Sequence, residues 1–403
     1  MVQKTILVVI GTRPEAIKLA PVVLALRHEM NAHVVVCSTG QHRQMLTQVL
    51  DAFEMSVDVD LDVMTVGQSL ASLTARVLTA MDNYLDRLRP DLVVVQGDTT
   101  TCFATALTAF YRGIPSAHVE AGLRTGDLQA PWPEEANRVL TARLASLHFC
   151  PTETNRRNLI EEGIPGDKIL VTGNPVIDAL LAAVAKVRAE APSIPGLSPE
   201  VLERAVAGGL VLVTGHRRES LGSGLERVCS AILALSQRFP NVQFVYPVHL
   251  NPNVRRTVLS QLGGIEGGNV HLIDPLPYLP FVRLIDLSTI ILTDSGGVQE
   301  EAPSLGKPVL VMRDKTERTE ALDAGTVRLV GTDPRVIERE ADLLLTSPPA
   351  RSEMASQANP YGDGSAAVRI ARACVRFLES ADDRPCGDDE RLPAAQAVSS
   401  VPQ

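Results

Sequence analysis

The residues best equipped for chemistry fall where apolar runs end. Asp294-Ser295-Gly296-Gly297 follows the β-branched run Ile290–Thr293 and precedes a helical segment carrying Glu300 and Glu301. Two glycines at a strand-to-helix turn let the backbone approach a ligand, and the free N–H groups of a helix start favour an anion. A carboxylate one turn further on is placed to accept hydrogen bonds from ribose hydroxyls. Phosphate beside ribose means a nucleotide; the plain alternative is an ordinary turn. Asp98 closes the run Leu92–Gln96 through Gly97, and Glu120 closes Ser116–Val119. Both acids therefore stand at carboxyl ends of strands, where ligands collect in open parallel sheets, although Asp98 has the alternative of capping the next helix. Glu134 follows Pro131-Trp132-Pro133 in the first turn of a helix, where the macrodipole alone favours a carboxylate.

Basic residues occupy equivalent loops. Thr5–Ile10 reads as a buried strand, and Gly11-Thr12-Arg13-Pro14-Glu15 turns it into a helix, with Thr12 and Glu15 spaced as a capping box. Arg13 and Lys18 flank that helix start, each able to neutralise a diphosphate, Arg13 being the better placed at the mouth of the strand. A solvated position on the helix is the alternative for Lys18. In the second half the run Leu210–Thr214 ends in Gly215-His216-Arg217-Arg218, again with basic residues before a helix.

Positioning such groups takes strands and helices in alternation, and the chain supplies them. Further strands are expected at 33–38, 147–150, 169–172, 241–246, 271–273, 309–312 and 327–330. Helices fall between most of them. The expected architecture is α/β, with two Rossmann-like doubly wound domains and the site in the cleft between them. Residues 1–173 form the first domain, 174–364 the second, a helix at about 365–380 returns to the first, and 381–403, rich in Asp, Pro, Ala and Ser, is expected to be disordered. Gly173-Asn174-Pro175 reads as the boundary.

A length of 403 residues fits two or three domains of roughly 100–200 residues each. Hydrophobic residues make up 45% and aromatics 3%, so the cores are aliphatic, as in buried parallel sheets. A net charge of -9 argues against a general nucleic-acid binder. Six scattered cysteines without a CxxC pair or leader indicate a reducing cytoplasm. The apolar runs are too short for a membrane span, and the histidines lack ligand spacing, so neither membrane nor metal is expected.

The segments GTRPEAIKLAP, QGDTTT, HVEAGLRTGD, PWPEEANR, TGHRRES, YPVHLNPNV and DSGGVQEEAPSLGKPVLVMRDKTER, in that order, resemble the bacterial non-hydrolysing UDP-N-acetylglucosamine 2-epimerases. The resemblance runs from about residue 5 to the segment Asn359-Pro360-Tyr361-Gly362-Asp363-Gly364. It implies a GT-B-like fold, a cytoplasmic homodimer, no cofactor, and interconversion of UDP-GlcNAc and UDP-ManNAc for envelope polysaccharide. By motif match Asp98, Glu120 and Glu134 are the acid/base carboxylates and His216 a residue on the diphosphate. Arg13, Lys18, Ser295, Gly296, Gly297 and Glu301 complete the implied UDP site. Some members are activated by substrate at a second pocket, whose matching positions include Gln41, Gln44, Glu134, Arg217 and His249. Gly67, where regulated members can carry an arginine, argues against that regulation here.

The chemistry fits this allocation. A hydrogen on sugar C2 is not acidified by any carbonyl, so departure of UDP from C1 must acidify it; carboxylates then take the proton. Elimination to a 2-acetamidoglucal, with the proton returned on the opposite face and UDP re-added, inverts C2. Rival readings are a hydrolysing epimerase releasing ManNAc and UDP, an epimerase for a modified UDP-GlcNAc, a GT-B glycosyltransferase, and a silent nucleotide-sugar sensor.

Overall fold

The computed structural model describes residues 3–29, 32–40, 43–65, 67–215, 222–264 and 268–382. They form two all-parallel sheets. The first contains β1 (Thr5–Ile10), β2 (His33–Ser38), β3 (Val59–Asp60), β4 (Leu92–Gln96), β5 (Ser116–Val119), β6 (Leu147–Cys150) and β7 (Ile169–Val171), in the order β3-β2-β1-β4-β5-β6-β7. The second contains β8 (Leu210–Thr214), β9 (Gln243–Pro247), β10 (Val270–Ile273), β11 (Ile290–Thr293), β12 (Val309–Val311) and β13 (Val327–Leu329), in the order β10-β9-β8-β11-β12-β13. A doubly wound α/β arrangement is therefore present in each half, and the two halves together make the GT-B-like architecture. The two-residue edge strand β3 was not expected, and β9 begins two residues later than its apolar run suggested.

Strands buried on both faces need apolar side chains in both directions, and Thr5–Ile10 and Leu210–Thr214 provide them. Ile6, Val8 and Ile10 face a core shared with the helices Arg13–Glu29 and Ala366–Asp382, while Leu7 and Val9 face one shared with Leu70–Leu88 and Thr100–Tyr111. In the second sheet Val211 and Val213 pack on one side and Leu210 and Leu212 on the other.

The helix Pro175–Glu190 belongs to both lobes. Ala179, Leu180, Ala183 and Val184 join the first core, whereas Val176 and Ile177 join a core of the second. Tyr278 and Val282, from the helix Tyr278–Leu287 of the second lobe, also enter the first core. An apolar pivot thus fixes how the two sheet edges meet. The C-terminal helix runs to Asp382, and 383–403 lie outside the described residues. Among the described residues no helix is long and apolar enough to cross a membrane, and no group of three or more His, Cys, Asp and Glu is arranged to hold a metal ion.

Candidate active site

In each sheet the strand order reverses between the first and fourth strands, and a crevice opens there beyond the carboxyl ends. On the first lobe the crevice is bordered by the turns after β1 and β4. Gly11 permits their close approach, because a Cβ there would collide with Thr101 Oγ1 and lie 2.8 Å from Thr39 Oγ1. Glu15 joins the turns. Its Oε2 accepts from the N–H of Gly11 at 2.9 Å and of Thr12 at 2.6 Å, and its Oε1 accepts from Thr99 Oγ1 at 2.6 Å. The Glu15 half of the expected capping box is therefore used, and the same carboxylate ties down the loop that carries Asp98.

Asp98 sits in the turn Gly97–Thr99. Its carbonyl accepts from Asn137 Nδ2 at 2.9 Å and its Oδ2 from Arg138 Nη2 at 2.5 Å. The Gly97 carbonyl is engaged at 2.7 Å by Nε2 of the fully buried His118, whose pKa burial pushes down to about 4. Neutral His118 therefore donates from Nε2 to that carbonyl. Arg138 also donates to Glu135 Oε2 at 2.9 Å, and Glu135 Oε1 accepts from the N–H groups of Thr125 and Gly126. The glycine-rich loop after β5 is thereby fastened to the helix Glu134–Leu144 and, through Arg138, to Asp98.

Glu134 opens that helix, immediately after Pro133. Its Oε2 is buried and has no hydrogen-bond partner among the described residues. The adjacent Glu135 carboxylate has three. Neighbouring acids of one motif are thus in opposite states, one bound into the scaffold and one left open for a partner.

Glu120 is the most constrained of the three acids. It holds φ at +63°, a left-handed conformation that costs a non-glycine residue about 1–3 kcal/mol. Lys18 Nζ lies 2.6 Å from both carboxylate oxygens, Asn174 Nδ2 donates to Oε1 at 2.9 Å, and Gln96 Nε2 donates to Oε2. Burial pushes the Glu120 pKa up, but Lys18, then Arg318 and Asn174, more than offset it and hold the group below the usual carboxylate value. Burial likewise works against the Lys18 charge, and Glu120 with Glu300 reverses the effect.

Glu300 continues the network into the second lobe. Its Oε2 accepts from Asn174 Nδ2 at 3.2 Å and its Oε1 from Arg318 Nε at 2.9 Å. Burial raises its pKa, with Arg318 and Lys18 pulling the other way. Glu301 is buried beside it; burial first, then the Glu300 charge, pushes its pKa up to about 8. Arg13, opening the first helix, lies beside Glu301 and Tyr278, and burial lowers its pKa against the pull of both.

The turn after β11 departs from expectation in one respect. A Cβ on Gly296 would lie 2.8 Å from Arg318 Cζ, so this glycine makes room for a guanidinium of the protein itself. Gly297 is exposed, with nothing within 4 Å of an added Cβ, and it is the glycine that leaves the backbone open. The Ser295 side chain makes no capping bond.

Several expected site residues are thus gathered at one interlobe edge: Arg13, Lys18, Glu120 and Glu301, with Asp98 in the adjoining turn and Glu134 at the start of the neighbouring helix. Lys18 is committed to Glu120 and does not stand as a free diphosphate cation. Glu300, expected with Glu301 at a ribose, is bound to Arg318 and Asn174. His216, Arg217 and Gln41 lie outside the described residues, as does the side chain of Gln44. His249 is exposed beyond β9, its Nδ1 accepting from the Asn251 N–H at 3.0 Å.

Asn174, Gln96, Arg138, Glu135 and Arg318 were not singled out from sequence. Asn174 hid in a Gly-Asn-Pro segment whose turn chemistry already explained it. A larger open concavity of about 490 Å³, lined by Leu61, Ser72, Arg76 and Asn83, holds none of the acids described above.

Known proteins share this fold and much of this sequence. The family model described as UDP-N-acetylglucosamine 2-epimerase matches residues 24–374. A probable UDP-N-acetylglucosamine 2-epimerase of Ralstonia nicotianae is 55% identical, over 93% of this chain and 100% of its own length. The UDP-N-acetylglucosamine 2-epimerase of Escherichia coli K12 is 53% identical, over 91% of this chain and 97% of its own. The crystal structure of the Neisseria meningitidis enzyme bound to UDP-GlcNAc superposes with a TM-score of 0.84 at 47% identity, covering 92% of this chain and 100% of that one. A glycosyltransferase of Rickettsia africae, at 13% identity and a TM-score of 0.61, shares the fold alone.

Proposed function

The chain belongs to the UDP-N-acetylglucosamine 2-epimerase family, and from that premise we propose that it interconverts UDP-GlcNAc and UDP-ManNAc by elimination and re-addition of UDP, without net hydrolysis. The observation that carries this reading is the short path from Glu120 through Asn174 to Glu300, next to Glu301. First-lobe acids and the nucleotide side of the second lobe then meet over one sugar.

In this reading the diphosphate rests on the backbone around Ser295 and Gly297, helped by Arg13 and His216, and Glu301 accepts from the ribose. Departure of UDP carries the C1–O electron pair away and leaves an oxocarbenium-like centre that acidifies the C2 hydrogen. A carboxylate among Asp98, Glu120 and Glu134 takes the proton, giving the 2-acetamidoglucal. Another carboxylate delivers a proton to the opposite face as UDP returns to C1. Glu120, held ionised by Lys18, suits removal, and Glu134, whose buried Oε2 has no partner among the described residues, suits exchange with a bound ligand. Positioned acid/base groups contribute about 10²–10⁴-fold, so stabilisation of the leaving diphosphate must supply the larger share.

We carry the two-domain division at 173/174, the homodimer and the cytoplasmic setting forward as part of the same proposal, on the family resemblance. The test is mass balance. Incubation with UDP-GlcNAc, followed by phosphorus NMR, should give two UDP-sugars in constant total with UDP at trace level. Stoichiometric UDP and free ManNAc would make the protein a hydrolysing epimerase.

A further inference from the structure

We propose that Asn174 is a positioning residue for the proton transfer: from the junction of the lobes, its single amide group fixes the orientation and charge of Glu120 while sensing whether Glu300 is in place. The inference rests on Glu120 acting at C2 and deepens that reading.

The orientation of the amide follows from its neighbours. Asn174 Oδ1 accepts from the Val176 N–H at 3.1 Å, capping the helix Pro175–Glu190, so the other end of the side chain is the NH₂ group. That group has two hydrogens, and each faces a carboxylate from a different lobe: Glu120 Oε1 at 2.9 Å and Glu300 Oε2 at 3.2 Å. The backbone is fixed as well, since Asn174 N donates to the Tyr361 carbonyl at 2.7 Å, and the residue is 1% exposed. No other uncharged side chain among the described residues hydrogen-bonds both acids. The arrangement is more specific than helix capping requires, because Ser or Asp would cap equally well.

The groups facing Glu120 define what loss of the amide would do. Lys18 approaches from the helix Arg13–Glu29, Arg318 and Glu300 from the second lobe, and Gln96, neutral His118 and the buried Cys102 thiol from the first lobe. Without the amide hydrogens Glu120 loses a donor, and the Glu120–Glu300 repulsion loses its neutral bridge. The carboxylate form of Glu120 is then disfavoured. A base that must be ionised becomes competent only at higher pH, so the acid limb of the kcat profile moves up.

The experiment compares wild type, N174S, N174D and E300Q for kcat against pH, UDP affinity by calorimetry and melting temperature. N174S keeps a capping oxygen and removes both amide hydrogens. It should melt near wild type and bind UDP within about threefold, while its acid limb rises by about one pH unit, equivalent to a tenfold change in ionisation at fixed pH. N174D places a third acid between the other two and should move the limb further up. E300Q, which removes the opposing charge and leaves Asn174 on Glu120, should move it down. An active wild type whose N174S and E300Q variants keep the wild-type limb overturns the inference alone, as does a loss of turnover that follows melting temperature or UDP affinity. A wild type without C2 epimerisation overturns the functional reading, and this inference with it.

Discussion

Lys18 holds its ammonium 2.6 Å from both carboxylate oxygens of Glu120, two residues that are 102 positions apart in the chain. Each is largely withdrawn from solvent, with side chains 16% and 10% exposed, and each keeps the other charged against desolvation. A carboxylate prepared in this way is ionised before substrate arrives, in the left-handed backbone position where β5 ends. The pairing therefore links a strained turn, an inward-facing helix and the proposed proton acceptor.

Replacing Lys18 by Met should leave Glu120 without its main countercharge. Its pKa, now depressed by Lys18, should rise, because burial is then opposed only by Arg318, Asn174 and Gln96. Turnover should fall by about 10²-fold or more at neutral pH, with the acid limb displaced upward. A pH–rate profile checks this, and an unshifted limb would separate Lys18 from Glu120 ionisation.

The two glycines after Ser295 should respond differently to alanine. Gly296→Ala forces a methyl group against the Arg318 guanidinium and should destabilise the protein by about 1–3 kcal/mol, through the cost of overpacking. Gly297→Ala meets no protein atom and should leave the melting temperature unchanged while weakening UDP binding. Denaturation and calorimetry on both variants provide the comparison.

Glu134 and Glu135 form another adjacent pair with opposite roles. Glu135→Gln leaves Arg138 short of a buried charge partner and loosens the Thr125 and Gly126 N–H groups, which should cost about 3–5 kcal/mol of stability. Glu134→Gln touches an oxygen without a partner, so stability should hold while turnover collapses. Equal melting temperatures for the two variants would refute the distinction.

Much of this framework was legible in the sequence. Runs such as LVVVQ and IILT must be buried parallel strands, and the acids and glycines that follow them must lie at carboxyl ends. The partners of those groups were less accessible. Asn174 meets Glu300 across 126 residues, a contact that neither periodicity nor turn chemistry encodes. Local reasoning gave Lys18 to a phosphate and Gly296 to a ligand. The fold gives one to Glu120 and the other to Arg318, because side chains of distant segments compete for the same crevice.

Glu301 carries a pH signature of its own. Its carboxyl pKa is raised from an ordinary value of 4.5 to about 8 in the folded chain. The native state therefore holds a proton that the unfolded chain releases, and the associated stability is full below about pH 4.5 and is lost as pH rises through about 8. Ligand-free protein should be harder to denature at pH 5 than at pH 8. In E301Q this part of the difference should disappear, as chemical denaturation at the two pH values would show.

The central claim is that UDP leaves and returns while carboxylates exchange the C2 proton. Incubation with UDP-GlcNAc in D2O, followed by proton NMR of both sugars, tests it directly. Deuterium should accumulate at C2 of UDP-GlcNAc and UDP-ManNAc alike, with the UDP-sugar total unchanged. Formation of UDP-ManNAc with protium retained at C2 would contradict the account.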